Sequence, residues 1–347
     1  MLVFIAPYPD CHNEQDGMIQ RIASIDSNFE TENRVYLDIS FRRFFKKSII
    51  IKNNLTVYQL NFFFSFLIIL SVVAKARLLY VHSVYNALKV LPFFYFKKVI
   101  LDMHGVVPEE MLFEGGNIAA YVYNWVEKIA VEKSYSIISV TKIMQEHFKK
   151  KYGRNCTADL VIPIITQGVN AQDLCCKNQE DSPLVIYAGG IQKWQNVPKM
   201  LEAVKCNLSV RYRFLTGKPD EMLRLAENYG IDNLEVKSVS PALVEKHYLE
   251  SDYGFLLRDD ILLNRVACPT KGIEYLANGV VPIVLSKDVG DFSRHGYQFI
   301  RYEDFILSKL PSLSELNKMK NRNYSVIQSI QNEMKEGITS LKQMVQV

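Results

Sequence analysis

Residues 253–285 read YGFLLRDDILLNRVACPTKGIEYLANGVVPIVL, and this stretch decides the fold. It opens on a short apolar run, 253–257, closed off by the charges of Arg258, Asp259 and Asp260. Continuous apolar runs of that length are strands buried on both faces. A helix is expected from Pro269-Thr270, where a proline in the first turn costs no hydrogen bond. It stops at Asn278-Gly279 and gives way to a second apolar run, 281–285. Strand, helix, strand at this spacing is the unit of a parallel sheet.

The same alternation extends in both directions. Toward the N-terminus, β-rich runs fall at 184–188, 210–216 and 233–237, with helical patterns at 197–205, 219–229, 241–250 and 270–277 completing the series. A first series occupies 2–6, 34–39, 78–82, 98–102, 135–140 and 160–164, with helices at 118–133 and 141–151. Between the two lies 166–182, TQGVNAQDLCCKNQEDS, which is polar and without period. The expected architecture is α/β: two Rossmann-like, doubly wound parallel-sheet domains, 1–165 and 183–311, facing each other across a cleft. A linker, 166–182, joins them, and a helical segment, 312–347, is expected to pack back across the domain boundary. At 347 residues the chain has room for two such domains. Sheets of this kind bind ligands beyond the carboxyl ends of their strands, where helix N-termini offer free N–H groups.

Composition excludes several classes. Hydrophobic residues are 48% and charged residues 22%, which rules out disorder as the main state. Cys11, Cys156, Cys175, Cys176, Cys206 and Cys268 form no metal-ligand spacing and are expected as free thiols. The N-terminus enters a strand with no basic segment before it, so no secretory signal is expected and the reading is cytoplasmic. From Arg42 to Lys98 there are ten basic residues, thirteen aromatics and no acid. No nucleic-acid-binding signature accompanies them, and the pattern suits an anionic membrane surface. The apolar run Leu60–Ala74 is too short to span a bilayer and is expected as a buried or interfacial helix. The protein is accordingly expected at the inner face of the cell membrane.

Chemistry concentrates in the opening block. Lys271 stands in the first turn of its helix, where a cation opposes the helix dipole. An anion at that N-terminus relieves the conflict, so Thr270, Lys271 and the free amides are candidate diphosphate ligands. Glu274 follows Thr270 by one turn on the same face and is a candidate for the two hydroxyls of a ribose. Arg258 is a second phosphate candidate. The chain contains no D-x-D pair for a divalent ion, so no metal is expected.

Cys268-Pro269-Thr270-Lys271-Gly272-Ile273-Glu274-Tyr275-Leu276-Ala277-Asn278-Gly279 resembles the signature of family-4-type, GT-B-fold retaining glycosyltransferases of bacterial cell-surface polysaccharide synthesis, the O-antigen and capsule enzymes. Three further stations fit. Gly189-Gly190-Ile191-Gln192-Lys193 follows the first strand of the second domain, Gly17 sits where the family has an N-terminal glycine loop, and Leu101-Asp102-Met103-His104-Gly105 matches a segment at the reaction centre. The resemblance implies donor binding by Gly17, Gly190, Lys193, Arg258, Thr270, Lys271 and Glu274. It implies a catalytic role for His104, with Asp102 orienting its ring and Glu274 on the donor; Asp16 and Glu110 are candidates for the acceptor. One departure stands out: the family's E-x7-E pair places its first glutamate on Val266, leaving Arg258, Asp259, Asp260 and Asn264 as nearby substitutes. The family's loop lysine falls on Gln195.

The function implied is transfer of a hexose or N-acetylhexosamine from a nucleoside diphosphate sugar, UDP favoured over GDP, with retention. The acceptor implied is a lipid-linked, polyprenyl diphosphate oligosaccharide. Two alternatives remain open, a sugar-nucleotide epimerase of the same fold and a catalytically silent glycan-binding partner subunit.

Overall fold

The computed structural model describes residues 1–10, 16–43, 48–165 and 182–346, which form two α/β units. The first comprises residues 1–164 together with the chain from Glu333 onward; the second runs from Ile165 to Asn332. The expected linker, save Ser182, lies outside the described residues, as do Cys11, Cys175 and Cys176.

The first unit is built from β1 (Leu2–Ile5), α1 (Gly17–Asp26), β2 (Arg34–Ser40), β3 (Ser48–Lys52), β4 (Leu55–Asn61), α2 (Phe66–Lys75), β5 (Leu78–His82), α3 (Ser83–Val90), β6 (Lys98–Met103), α4 (Val107–Phe113), α5 (Asn117–Lys133), β7 (Ser136–Ser139), α6 (Lys142–Tyr152) and β8 (Leu160–Val161). Its sheet runs β3-β4-β2-β1-β5-β6-β7-β8, parallel except that β3 returns antiparallel on β4. Every residue of β1, β5 and β7 is buried, because helices cover both faces of these strands. α1 shares a core with Phe4, Tyr36 and Tyr80 on one face. Right-handed crossovers then place α2, α3, α5 and α6, whose connections run the other way along the sheet, on the opposite face.

The second unit contains β9 (Leu184–Ala188), α7 (Val197–Cys206), β10 (Arg211–Leu215), α8 (Pro219–Asn228), β11 (Leu234–Lys237), α9 (Pro241–Leu249), β12 (Tyr253–Leu256), α10 (Leu262–Val266), α11 (Thr270–Ala277), β13 (Val281–Val284), β14 (Ile300–Arg301) and α12 (Tyr302–Ile306). Its sheet is β11-β10-β9-β12-β13-β14, all parallel. The last helix, α13 (Leu313–Gln346), begins in the second unit and ends in the first. Its Leu316 joins the second unit's core, and its Leu341 and Val345 join α1.

Two local expectations need correction. The run Leu60–Ala74 is not one helix: Leu60 and Asn61 finish β4, and α2 starts only at Phe66. Asn61 makes the break, its side-chain oxygen accepting from the amides of Phe63 and Phe64. Phe63, Phe64, Phe66, Leu67 and Leu70 of this run are exposed. The hairpin β3–β4 was not expected; it turns at Asn53-Asn54, Asn53 adopting the positive φ of 42° that such a turn demands. No helix among the described residues is long and apolar enough to cross a membrane.

Candidate functional site

Strand order locates the sites. In the second sheet the chain proceeds from β9 outward to β11, then returns to the other side of β9 with β12. The carboxyl ends of β9 and β12 therefore flank a topological switch point, where loops diverge and leave a crevice. Gly189 and Gly190 follow β9, Arg258 follows β12, and α11 begins beside them.

Lys271 is not a surface lysine. Its side chain is 9% exposed; Nζ lies 4.0 Å from the centre of the Tyr187 ring and donates to Gln195 Oε1 at 3.1 Å. Burial, then the neighbouring positive charge of Arg258, push its pKa well below the ordinary lysine value, and Glu274 opposes them. Arg258 spends one nitrogen on the Trp194 carbonyl at 3.0 Å. Two basic groups thus meet at one sheet edge, and the one carboxylate acting on Lys271 among the described residues is Glu274. Such a pair is costly until an anion joins it.

Glu274 accepts from the Tyr248 hydroxyl at 2.8 Å. Burial raises its carboxyl, while Tyr248 and Lys271 pull it back. The tyrosine takes one oxygen and holds the carboxylate in place. Close approach of backbones is enforced by glycine: a Cβ on Gly254 would stand 2.5 Å from the Tyr275 ring, so α11 can lie directly on β12. Thr270 is the first residue of α11, after Pro269 in extended conformation, and no side chain caps that end.

The other candidates of this unit divide. Gly190 offers its carbonyl to Tyr187. Lys193 begins a one-turn 3₁₀ helix, Lys193–Gln195, and is exposed; it is Gln195 of that turn that meets Lys271. Val266 is buried, so the missing glutamate leaves no gap in the surface. Asp260 is held by both Nε and Nη2 of Arg265, at 2.6 and 2.8 Å, and Asn264 by the Asp259 carbonyl at 2.9 Å.

The first sheet repeats the topology, with its switch point between β1 and β5. Asp16 caps α1, one carboxylate oxygen accepting from Met18 and Ile19 amides at 2.7 and 3.4 Å. Gly17 is the first residue of α1 rather than part of a loop. Asp102 is fully enclosed: Arg21 holds both its oxygens at 3.2 Å and the Tyr80 hydroxyl donates to Oδ2 at 2.9 Å. Burial alone would raise this carboxyl, but Arg21, with His104 and His82, holds it far below the carboxylate range. Its place is behind His104, whose Nε2 lies 3.7 Å away. Glu110 folds over Gly105, where any Cβ would collide with its carboxylate; burial raises its pKa.

With that geometry in hand, similarity to solved structures is informative. Anabaena HepE, in complex with UDP and glucose, superposes with a TM-score of 0.67 over 99% of both chains, at 11% identity. Sucrose-phosphate synthase from Thermosynechococcus elongatus matches at 0.65, with 11% identity over 99% of this chain and 97% of its own. A UDP-forming trehalose-phosphate synthase from Burkholderia vietnamiensis matches at 0.64, with 11% identity over 100% of this chain and 99% of its own. The fold is GT-B. No family model matches the sequence, and no curated protein matches it.

Within this GT-B chain, four side chains at the sites escaped the sequence reading. Tyr187 and Tyr248 support Lys271 and Glu274, and Arg21 and His82 support Asp102 and His104. Each sits on a strand or helix distant in sequence from its partner, and no local pattern marks it. His82, as the polar end of an otherwise apolar strand at a switch point, carried the one usable signal.

Proposed function

We propose that this chain is a retaining glycosyltransferase that takes its sugar from a nucleoside diphosphate donor. The observation that carries the reading is the buried Lys271 beside Arg258 at the amino end of α11, a pair of basic groups whose full charge a diphosphate would restore. Glu274, braced by Tyr248, takes the ribose hydroxyls. Departure of the nucleoside diphosphate builds negative charge at its phosphates; Lys271, Arg258 and the α11 amides stabilise it without a divalent ion. His104 contacts the transferring sugar, and Glu110 the acceptor. HepE with UDP and glucose, and the UDP-forming trehalose-phosphate synthases, support UDP as the carrier.

The acceptor we propose is a lipid-linked oligosaccharide of surface polysaccharide synthesis, met at the inner leaflet. Exposed apolar side chains of the first unit support this. Phe63, Phe64 and Leu67 at the start of α2, Tyr95 and Phe96 ahead of β6, and Ile118, Tyr121 and Trp125 on α5 are all exposed. The last three recur at helical spacing, an apolar stripe facing away from α3. Arg42, Arg43, Lys75 and Arg77 are exposed on the same unit.

The test is a panel of UDP-, GDP- and dTDP-sugars scored for thermal stabilisation of the purified protein, followed by product analysis with a polyprenyl diphosphate acceptor. Stabilisation by none of the three bases sinks the proposal. An epimerised nucleotide sugar formed without acceptor replaces it with the epimerase reading, and binding without turnover replaces it with a silent subunit.

A further inference from the structure

Of the groups that crowd the buried Nζ of Lys271, one can give way. The Tyr187 ring, its centre 4.0 Å off, belongs to β9 and is fully buried. The Gly189 backbone, where a Cβ would stand 2.5 Å from Nζ, is tied to β10 by its amide, which donates to the Leu215 carbonyl at 2.9 Å. Gln195 is different: its Oε1 accepts from Nζ at 3.1 Å, yet the residue is only half-buried and stands on a surface turn.

That turn, Lys193–Gln195, is held by the same basic groups that are assigned to the diphosphate. Lys271 donates to the Gln195 amide oxygen, and Arg258 donates to the Trp194 carbonyl at 3.0 Å. Either side of the turn the chain is anchored independently. Before it, the Tyr187 hydroxyl donates to the Gly190 carbonyl; after it, Asn196, at a φ of 57°, donates to the Leu257 carbonyl at 3.1 Å. The Gln192 side-chain amide in turn lies on Gly190, where any Cβ would collide with it.

The chemistry of these contacts is that of a stand-in. A buried ammonium or guanidinium needs an acceptor. An amide or carbonyl oxygen supplies the hydrogen bond but no charge, whereas a phosphate oxygen supplies both and bonds about twice as strongly. The exchange therefore favours the phosphate, and the displaced Gln195 amide and Trp194 carbonyl, being at the surface, turn to water. A group bonded only in the ligand-free state opposes binding by the worth of its bond.

We propose that Gln195 is a positioning residue that holds the place of a donor phosphate on Lys271, and that nucleoside diphosphate binding displaces it and moves the turn that carries Trp194. The inference rests on the proposed diphosphate site, but it fails separately.

The test is calorimetric titration of UDP and GDP into the full-length wild type, Gln195→Ala and Gln195→Glu. Gln195→Ala removes the stand-in and leaves the bound state as it was, so affinity is expected to rise about three- to tenfold. Gln195→Glu puts an anion on Lys271 that repels the diphosphate, and affinity is expected to fall at least about a hundredfold. A turn merely loosened by substitution lowers affinity in both variants, so the opposite signs are particular to displacement. The chain has two tryptophans, so in Trp125→Phe only Trp194 emits, and its fluorescence is expected to change as the nucleotide saturates. Weaker binding by Gln195→Ala overturns the proposal and makes Gln195 a donor ligand; unchanged binding overturns it too. So does Trp194 emission indifferent to a nucleotide that calorimetry shows bound. Binding of neither nucleotide to the wild type removes the diphosphate site itself, and this inference with it. Should Gln195→Glu fail to fold, Gln195→Ala and the Trp194 emission decide.

Discussion

A Cβ placed on Gly189 would stand 2.5 Å from Nζ of Lys271 and 3.0 Å from the Tyr187 hydroxyl. Gly189, the first glycine of the loop, is therefore crowded by the lysine and the tyrosine, on a backbone whose φ of 159° L side chains rarely adopt. Because Nζ is the end of a flexible side chain, Gly189→Ala displaces the ammonium group from its seat over Tyr187, with some backbone strain added at that φ. UDP affinity is expected to fall about tenfold, the worth of one charge-assisted hydrogen bond. The check is the UDP-induced rise in Tm, which shrinks while circular dichroism stays that of the wild type.

Lys271 sets function against stability. Its charge is buried beside Arg258 and its pKa is depressed. Lys271→Met fills the same space without charge, so the ligand-free protein should gain about 1 kcal/mol, as buried charges replaced by apolar groups do. Stabilisation by UDP should vanish. The pH dependence has a definite sign. Between the depressed pKa and the ordinary one the unfolded chain binds a proton that the native chain does not, so this group's contribution to stability rises with pH. A diphosphate restores the charge, so binding takes up a proton and affinity falls as pH rises through that window. Calorimetry in two buffers of different ionisation enthalpy reads the uptake directly, and its absence would remove Lys271 from the phosphate site.

Glu274 and Tyr248 make a separable pair. Glu274→Gln keeps the hydrogen bond but loses the charge that two ribose hydroxyls favour; UDP affinity is expected to drop about 10–100-fold. Tyr248→Phe frees the carboxylate and should cost a smaller factor, about three to ten. A 2′-deoxy nucleotide should already be weak against the wild type and lose little more on Glu274→Gln. Unchanged affinity and turnover in Glu274→Gln would show that the ribose lies elsewhere.

The sequence made the parallel architecture legible because its strands are buried on both faces and read as plain apolar runs. Leu184–Ala188 and Leu78–His82 were placed to the residue. It misled where apolar character ran on through a change of structure. In Leu60–Ala74 a strand end, a turn and a helix are equally hydrophobic, and the single Asn61 that separates them looks like an isolated polar residue until its side chain is seen bonded to the Phe63 and Phe64 amides. At the sites, residues that announce themselves by cost were readable: Lys271 opposes a helix dipole, and Gly189 sits beyond a strand. Their supports were not, because Arg21 reaches Asp102 across 81 positions and Tyr248 reaches Glu274 across 26. Distance in sequence, not weakness of the contact, hid them.

The exposed apolar side chains of the first unit give the last prediction. Lys97 donates to the carbonyls of Ala74 and Ala76 at 2.7 and 3.0 Å, tying the end of α2 to the segment that carries Tyr95 and Phe96. Lys133 of α5 stands over the Tyr95 ring at 5.2 Å. These contacts tie the C-terminal ends of α2 and α5 to the segment that carries Tyr95 and Phe96, and from Arg42 to Lys98 acids are absent. Aromatic and leucine side chains entering the headgroup region and cations meeting anionic lipid act additively. Flotation with vesicles containing anionic phospholipid should retain the wild type and release it as salt rises. Replacing Phe64, Leu67 and Trp125 by serine should weaken binding at low and high salt alike. Replacing Arg42, Arg43, Lys75 and Arg77 by glutamine should weaken it chiefly at low salt, since screening already removes their share at high salt. Equal flotation on neutral and anionic vesicles, unaltered in both variants, would leave the membrane with no part in acceptor capture, and turnover of a short, water-soluble acceptor would then be expected to match that of the lipid-linked one.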